Sequence, residues 1–107
     1  MRWPILQVPF LPAAGMALFP FILVKEKRFK NHKSLVLHEK IHLIQQLELL
    51  ILPFYILYLL NYLVNLYRYR SHKRAYEEIA FEKEAYSNDL DQKYLSRRPF
   101  WHWLKYL

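Results

Sequence analysis

The alternation of apolar and polar positions divides the chain into an irregular start, a short β-like run and three helical stretches. Prolines at positions 4, 9 and 12 interrupt the first apolar residues, and a proline ring blocks the interior of a helix. Residues 1–14 are therefore expected to form an extended arm. The run "GMALFPFILVK", Gly15 to Lys25, is apolar and rich in Phe, Ile and Val, which favour strands. Pro20 cannot donate to a sheet ladder, so this run is expected to be an edge strand. A basic connector, "KEKRFKNHK", follows it; strand and connector together are assigned to residues 15–30.

Residues 31–88 carry the helical signal. Asn31 and Ser34 are both suitable N-caps for a first helix. That helix should run to about Leu52, because Pro53 disfavours helical geometry in the residue before it. A second helix, from about Phe54 to Tyr69, is apolar nearly all round and is expected to be buried, folding back on the first, with an outer face open to lipid. A third, from about His72 to Ser87, alternates charged and apolar residues. Residues 89–107 form a basic, aromatic C-terminal segment. The fold class is mainly α: one domain over residues 1–107, with a three-helix core and an N-terminal extended or edge β segment.

Composition sharpens this picture. The chain of 107 residues has no cysteine, which excludes disulfides, thiolate metal sites and a cysteine nucleophile. Any metal must rest on His, Asp and Glu. Hydrophobic residues make up 54% and aromatics 18%, high for a small domain with little interior. Some of this apolar surface is expected to meet a membrane, a partner or a second copy. The net charge of +7 favours an anionic partner. The basic residues are scattered over three segments and form no recognised nucleic-acid module, so no nucleic-acid partner is expected.

The candidate chemistry lies in "SLVLHEKIHLIQQLELL", Ser34 to Leu50, which holds His38, Glu39 and His42 as His-Glu-x-x-His. On a helix, positions i and i+4 share one face. Two imidazoles so placed can converge on one ion, and neutral imidazole suits zinc. Glu39 lies about 100° round the helix, off the ligand line but where a general base belongs. The opposing reading is two surface histidines beside Lys40. Leu35, Gln45 and Leu49 continue the His38 face, so the imidazoles line a partly apolar face, which favours metal binding.

A third ligand must come from elsewhere. The candidates are Glu77, Glu78, Glu82, Glu84, Asp89, Asp91 and the other histidines. On a continuous helix Glu82 has Ala75, Ile79, Ala85 and Tyr86 as same-face neighbours, a costly setting for an unpaired carboxylate. Glu77 and Glu84 line up on a second face with Ala80 and Phe81. The pattern leaves both faces open.

"HEKIHLIQQ", followed some way on by "AFEKEAY", resembles the gluzincin metallopeptidases, and more narrowly the minigluzincin-like zinc peptidases. The resemblance implies a minimal zincin-like domain over about Gly15 to Asn88 that hydrolyses peptide bonds. His38 and His42 match the histidine ligands of Zn2+, Glu39 the general base, and Glu82, in "EKEA", the third ligand. It also implies that the edge strand borders the cleft and that the substrate is a peptide or protein. There are departures. Phe81 stands where thermolysin-like enzymes have Asn before the third ligand, and Tyr86 where an Asp would orient a zinc histidine. Glu78, one turn before Glu82, is the candidate to replace that Asp. Tyr86, Tyr76 and His72 are candidates to stabilise an oxyanion, with Tyr86 taken first.

The uncharged run Leu49 to Tyr67, followed by "RYRSHKR", also fits a membrane helix by hydropathy. A full crossing would put His42 and Glu82 on opposite sides of about 30 Å of hydrocarbon, so a shared metal site and a clean crossing exclude each other. A membrane surface is the compatible alternative. Trp101, Trp103 and Tyr106 beside Arg97, Arg98 and Lys105 fit either an interfacial anchor or a segment docked on the core. The first residues carry a single Arg and a proline-broken apolar run, which is no convincing signal peptide. Location is left between membrane-associated and cytoplasmic, and an oligomer is compatible with the composition. The competing function is a non-catalytic, membrane-associated helical protein whose histidine pair is incidental or structural.

Overall fold

The computed structural model describes residues 3–107. Among the described residues three short strands, β1 (Ile5–Gln7), β2 (Gly15–Leu18) and β3 (Phe21–Val24), precede five helices. These are α1 (Lys33–Glu48), α2 (Leu52–Tyr69), α3 (His72–Glu77), α4 (Ala80–Asn88) and α5 (Tyr94–Arg97). Short 3₁₀ segments at Lys27–Asn31 and His102–Tyr106 complete the chain. The fold is mainly helical with a small N-terminal sheet, as expected.

Within the sheet the order is β1-β3-β2. The run from Gly15 to Lys25 is therefore two antiparallel strands, not one edge strand. Pro20 lies in the turn between them, where no ladder hydrogen bond is lost. Met16 pairs with Leu23 across the hairpin. The extended arm contributes β1, parallel to β3, with Ile5 opposite Ile22. β2 remains an edge, and β3 is central.

α1 is the organising helix. Val36 and Leu43 pack with Ala17, Ile22 and Val24 of the sheet. Leu37 and Ile41 pack with Ala85 of α4 and Tyr94. Leu49, at the end of α1, joins Phe54, Ile79, Phe81 and Trp103. A helix clothed on several sides needs apolar residues on several faces, which is why α1 lacks a clean amphipathic stripe. His32 is its N-cap: Nδ1 accepts from the Leu35 backbone N–H at 3.1 Å.

α1 stops at Glu48, earlier than Pro53 required. Leu50 and Ile51 take positive φ values of 58° and 72°. The Leu52 N–H donates to the Leu50 carbonyl at 2.9 Å, which makes Ile51 (φ 72°, ψ −73°) the centre of a strained γ-turn. α2 then leaves α1 at 112°. Pro53 sits in the first turn of α2, where its missing N–H costs nothing.

The burial expected of α2 is not found, and its outer face is open. Only Phe54 and Asn65 are buried along its length. No single helix among the described residues is long and apolar enough to cross a membrane.

The third predicted helix is broken at Glu78 and Ile79 into α3 and α4, and α2 explains how the break is tolerated. Asn61 Oδ1 accepts from the Ala80 N–H at 2.9 Å, and Asn65 Nδ2 donates to the Ala75 carbonyl at 3.1 Å. Helix ends leave such groups without intrahelical partners, and two asparagines on one face of α2 supply them.

The C-terminal segment docks on the core. Trp103 packs on Phe81 with ring centroids 4.9 Å apart. Arg98 reaches the buried carboxylates of Glu48, at 2.7 and 2.9 Å, and Glu84, at 3.0 Å.

Candidate metal centre

α1 presents His38, Glu39 and His42, and α4 presents Glu82; all four are buried. Oε1 of Glu82 lies 3.0 Å from Nε2 of His38 and 3.0 Å from Nε2 of His42. Each imidazole is held from behind. His38 Nδ1–H donates to Oδ2 of Asp89 at 3.0 Å, and His42 Nδ1–H donates to Oε1 of Gln45 at 2.7 Å.

The Gln45 amide fixes that second assignment. Its nitrogen donates both hydrogens, to the Phe81 carbonyl at 3.1 Å and to Glu84 Oε1 at 3.0 Å. Its oxygen must therefore accept, and Nδ1 of His42 must carry the proton. With both rings neutral, two Nε2 lone pairs and a carboxylate oxygen then converge with no hydrogen between them. Such a convergence requires positive charge, as protons on the rings or as a metal ion.

The donor set fits an ion. One atom each from His38, His42 and Glu82 lies within 4.8 Å of the others. Donors about 2.1 Å from a tetrahedral ion stand about 3.4 Å apart, a small movement from the 3.0 Å observed. Two imidazoles and a carboxylate are a donor set that divalent zinc, iron, nickel and copper all accept.

Without a metal, the electrostatics show how strongly the groups feel one another. Burial opposes a charged His42, but the Glu82 carboxylate outweighs it and pushes the imidazole up to about 9. Burial alone would raise Glu82; His42, His38 and the Tyr58 hydroxyl together hold it well below the ordinary carboxylate range. Burial pushes Glu39 up, offset only in part by His42 and His38.

A cavity of about 260 Å³ opens beside these residues, lined by Gly15 to Leu18 of β2, by Glu39, and by Tyr55, Tyr58 and Tyr76. Gly15 lets β2 approach α1: a Cβ there would stand 3.2 Å from Glu39 Oε2. Along β2 the Ala17 carbonyl is already bonded, accepting from Gln46 Nε2 at 2.9 Å and from the Tyr55 hydroxyl at 3.2 Å.

Several expected roles fall elsewhere. Glu78 pairs with Lys83 at 3.2 Å, and Asp89 occupies the orienting place assigned to it. The helix break turns Glu78 away, whereas Asp89, at position i+7 from Glu82, keeps its face. Tyr86 is half exposed and stacks edge-on against His38, with ring centroids 4.4 Å apart. Its hydroxyl is 3.0 Å from that of Tyr76; Tyr76 lines this cavity, and both tyrosines line an adjoining one with His38, Glu39 and Asp89. His72 is paired with the Tyr62 hydroxyl at 2.8 Å. Glu84 does face inward, towards Arg98, Tyr94 and Gln45.

Tyr58 was not singled out from sequence, yet its hydroxyl donates to Glu82 Oε2 at 2.5 Å. The signal was present: polar groups recur at 55, 58, 61, 62 and 65, one stripe at helical spacing. The C-terminal segment does not line the cavity. No family model, curated protein or solved structure matches this chain.

Proposed function

We propose that the chain is a zinc-dependent peptidase, as its resemblance to minigluzincin-like enzymes implies. One observation carries the proposal: a single Glu82 oxygen stands 3.0 Å from both Nε2 atoms, while both Nδ1 atoms are committed to acceptors behind them. His38, His42 and Glu82 would hold the ion. Zinc bound there supplies Lewis acidity towards a scissile carbonyl and acidifies a water.

The chain's own residues do the rest. Asp89 and Gln45 fix the tautomers and orient the rings. Glu39, buried beside the ligands with its proton affinity raised, accepts a proton from water and delivers it to the leaving amine. Tyr76, kept protonated by burial and by Glu82, supplies a hydroxyl donor towards developing negative charge, with Tyr86 donating to it in turn; Tyr58 gives its one proton to Glu82 Oε2 and steadies that ligand. β2 borders the cavity on the side where an extended peptide could lie.

Metal analysis of protein purified without added zinc, together with a peptide-library assay, tests this. The expected result is one zinc per chain, lost in Glu82→Ala, and hydrolysis abolished in Glu39→Gln with zinc retained. Undiminished hydrolysis by Glu39→Gln would sink the mechanism.

A non-catalytic metal site is the alternative, and the bonded Ala17 carbonyl favours it, because it removes an acceptor from the edge a substrate would use. One zinc per chain with no turnover on any peptide selects that role.

A further inference from the structure

α2 is built inside out. Asn61, Asn65, Tyr55, Tyr58 and Tyr62 turn inward and hydrogen-bond to Ala80, Ala75, Ala17, Glu82 and His72. Ile56, Leu59, Leu60, Leu63, Val64 and Tyr67 face outward, each 52% exposed or more except Leu63 at 48%. At 3.6 residues per turn this uncharged face spans an arc of about 140°, about two-fifths of the helix circumference. A surface helix in water has the opposite polarity.

We propose that this face lies on an anionic lipid bilayer, with α2 parallel to the membrane plane. Charge argues for lipid over a second copy. The apolar face runs into exposed Arg68, Arg70, Lys73 and Arg74, and Tyr67 and Tyr69 sit against them, with the Arg70 and Arg74 guanidinium carbons 5.8 and 4.4 Å from the ring centroids. Tyrosine beside arginine suits the headgroup layer, and the basic cluster attracts anionic lipid. A second copy would bring another +7 against the same charge. The face is also broader than the narrow seam by which two helices pack.

An in-plane position follows from the inner face. α2 has 18 residues, about 27 Å of helix, close to the hydrocarbon thickness. A crossing would, however, carry its hydrogen-bonded inner face and the charged elements behind it into lipid. Lying flat, α2 buries only its apolar face. The docking does not depend on the peptidase assignment. Because Tyr55 and Tyr58 of the same helix wall the candidate cleft, it sets that cleft about one helix diameter, about 10 Å, from the membrane.

The test is flotation of the full chain with phosphatidylcholine vesicles, with and without about one-third phosphatidylglycerol. Flotation with the anionic vesicles is expected. Binding should fall at least about tenfold in the double variant Leu60→Glu, Val64→Glu, and several-fold in Arg68→Glu, Arg70→Glu, with circular dichroism unchanged. Undiminished binding by the first pair overturns the proposal. So does a wild-type chain that ignores both vesicles and self-associates through this face.

A second measurement needs no charge-bearing variant. The chain has no cysteine, so Ile56→Cys and Tyr67→Cys, about 16 Å apart along the helix, each accept one environment-sensitive fluorophore. Blue-shifted emission and equal quenching by lipid-borne quenchers at both positions is expected. No shift, or quenching at different depths as in a crossing helix, refutes the in-plane geometry.

Discussion

Nδ1 of His38 stands 3.0 Å from Oδ2 of Asp89, although the two residues are 51 apart in sequence. The contact ties the start of α1 to the end of α4, and it aims the opposite ring nitrogen at Glu82. A ring so held would need no reorientation to ligate the metal proposed above.

Removing that partner should therefore cost metal affinity more than fold stability. In Asp89→Ala the expected loss of zinc affinity is about 10–100-fold, measured by competition with a chromogenic chelator. Asp89 is not fully buried, so the thermal midpoint of the metal-free protein should move little. Unchanged affinity would show that His38 is not a ligand.

Gly15→Ala separates position from stability. The backbone at Gly15 is not in the positive-φ region, so alanine fits it, and stability should change by no more than about 1 kcal/mol. The new methyl would crowd Glu39 Oε2 and Leu35 Cδ1, each at 3.2 Å. If Glu39 is the general base, turnover should fall about tenfold at unchanged zinc content. Full activity in Gly15→Ala would remove Glu39 from that role.

Arg98 holds two buried carboxylates. Its side chain and those of Glu48 and Glu84 are at most 3% exposed. Arg98→Met should cost about 3–5 kcal/mol, because it leaves buried charge uncompensated. Urea unfolding measures this, and adding Glu48→Gln and Glu84→Gln should recover part of the loss.

The same cluster predicts acid sensitivity. Burial alone would raise Glu84, but hydrogen bonds from Arg98, Tyr94 and Gln45 hold its carboxyl below the ordinary 4.5. Its contribution to stability is therefore complete above pH 4.5 and is lost as pH falls through the depressed folded value. Thermal midpoints between pH 6 and pH 2 should show a decline that is smaller in Glu84→Gln. Equal declines would mean that other groups control acid unfolding.

Leu50 is 81% exposed with φ 58°, a conformation glycine adopts freely. In buffer without lipid, Leu50→Gly should raise stability by about 1 kcal/mol, or about 4–8 °C in thermal midpoint. A lower midpoint would mean that the turn is not strained.

Much of the candidate site was legible from local order alone. The i, i+4 spacing of His38 and His42 and the place of Glu39 beside them follow from helix geometry, whatever the rest of the chain does. The mainly helical class and the short N-terminal β segment followed from apolar periodicity and proline placement. Glu82 was reached through resemblance, since the carboxylates at 77 and 84 made an equally regular face.

What remained depended on contacts between segments far apart in the chain. The break at Glu78 and Ile79 is tolerated because Asn61 and Asn65 from α2 complete the exposed helix ends, and no local propensity encodes that. Asp89 replaces Glu78 behind His38 for the same reason: the break changes which residues share a face. α2 resembles a core helix by its overall apolarity; the stripe at 55, 58, 61, 62 and 65 marks one distinct face, but not whether that face turns inward. Local sequence determined where helices could form and which side chains could share a turn. Tertiary packing alone decided which carboxylate met the imidazoles and which side of α2 was left facing outward, because both are set by the directions of helices relative to one another.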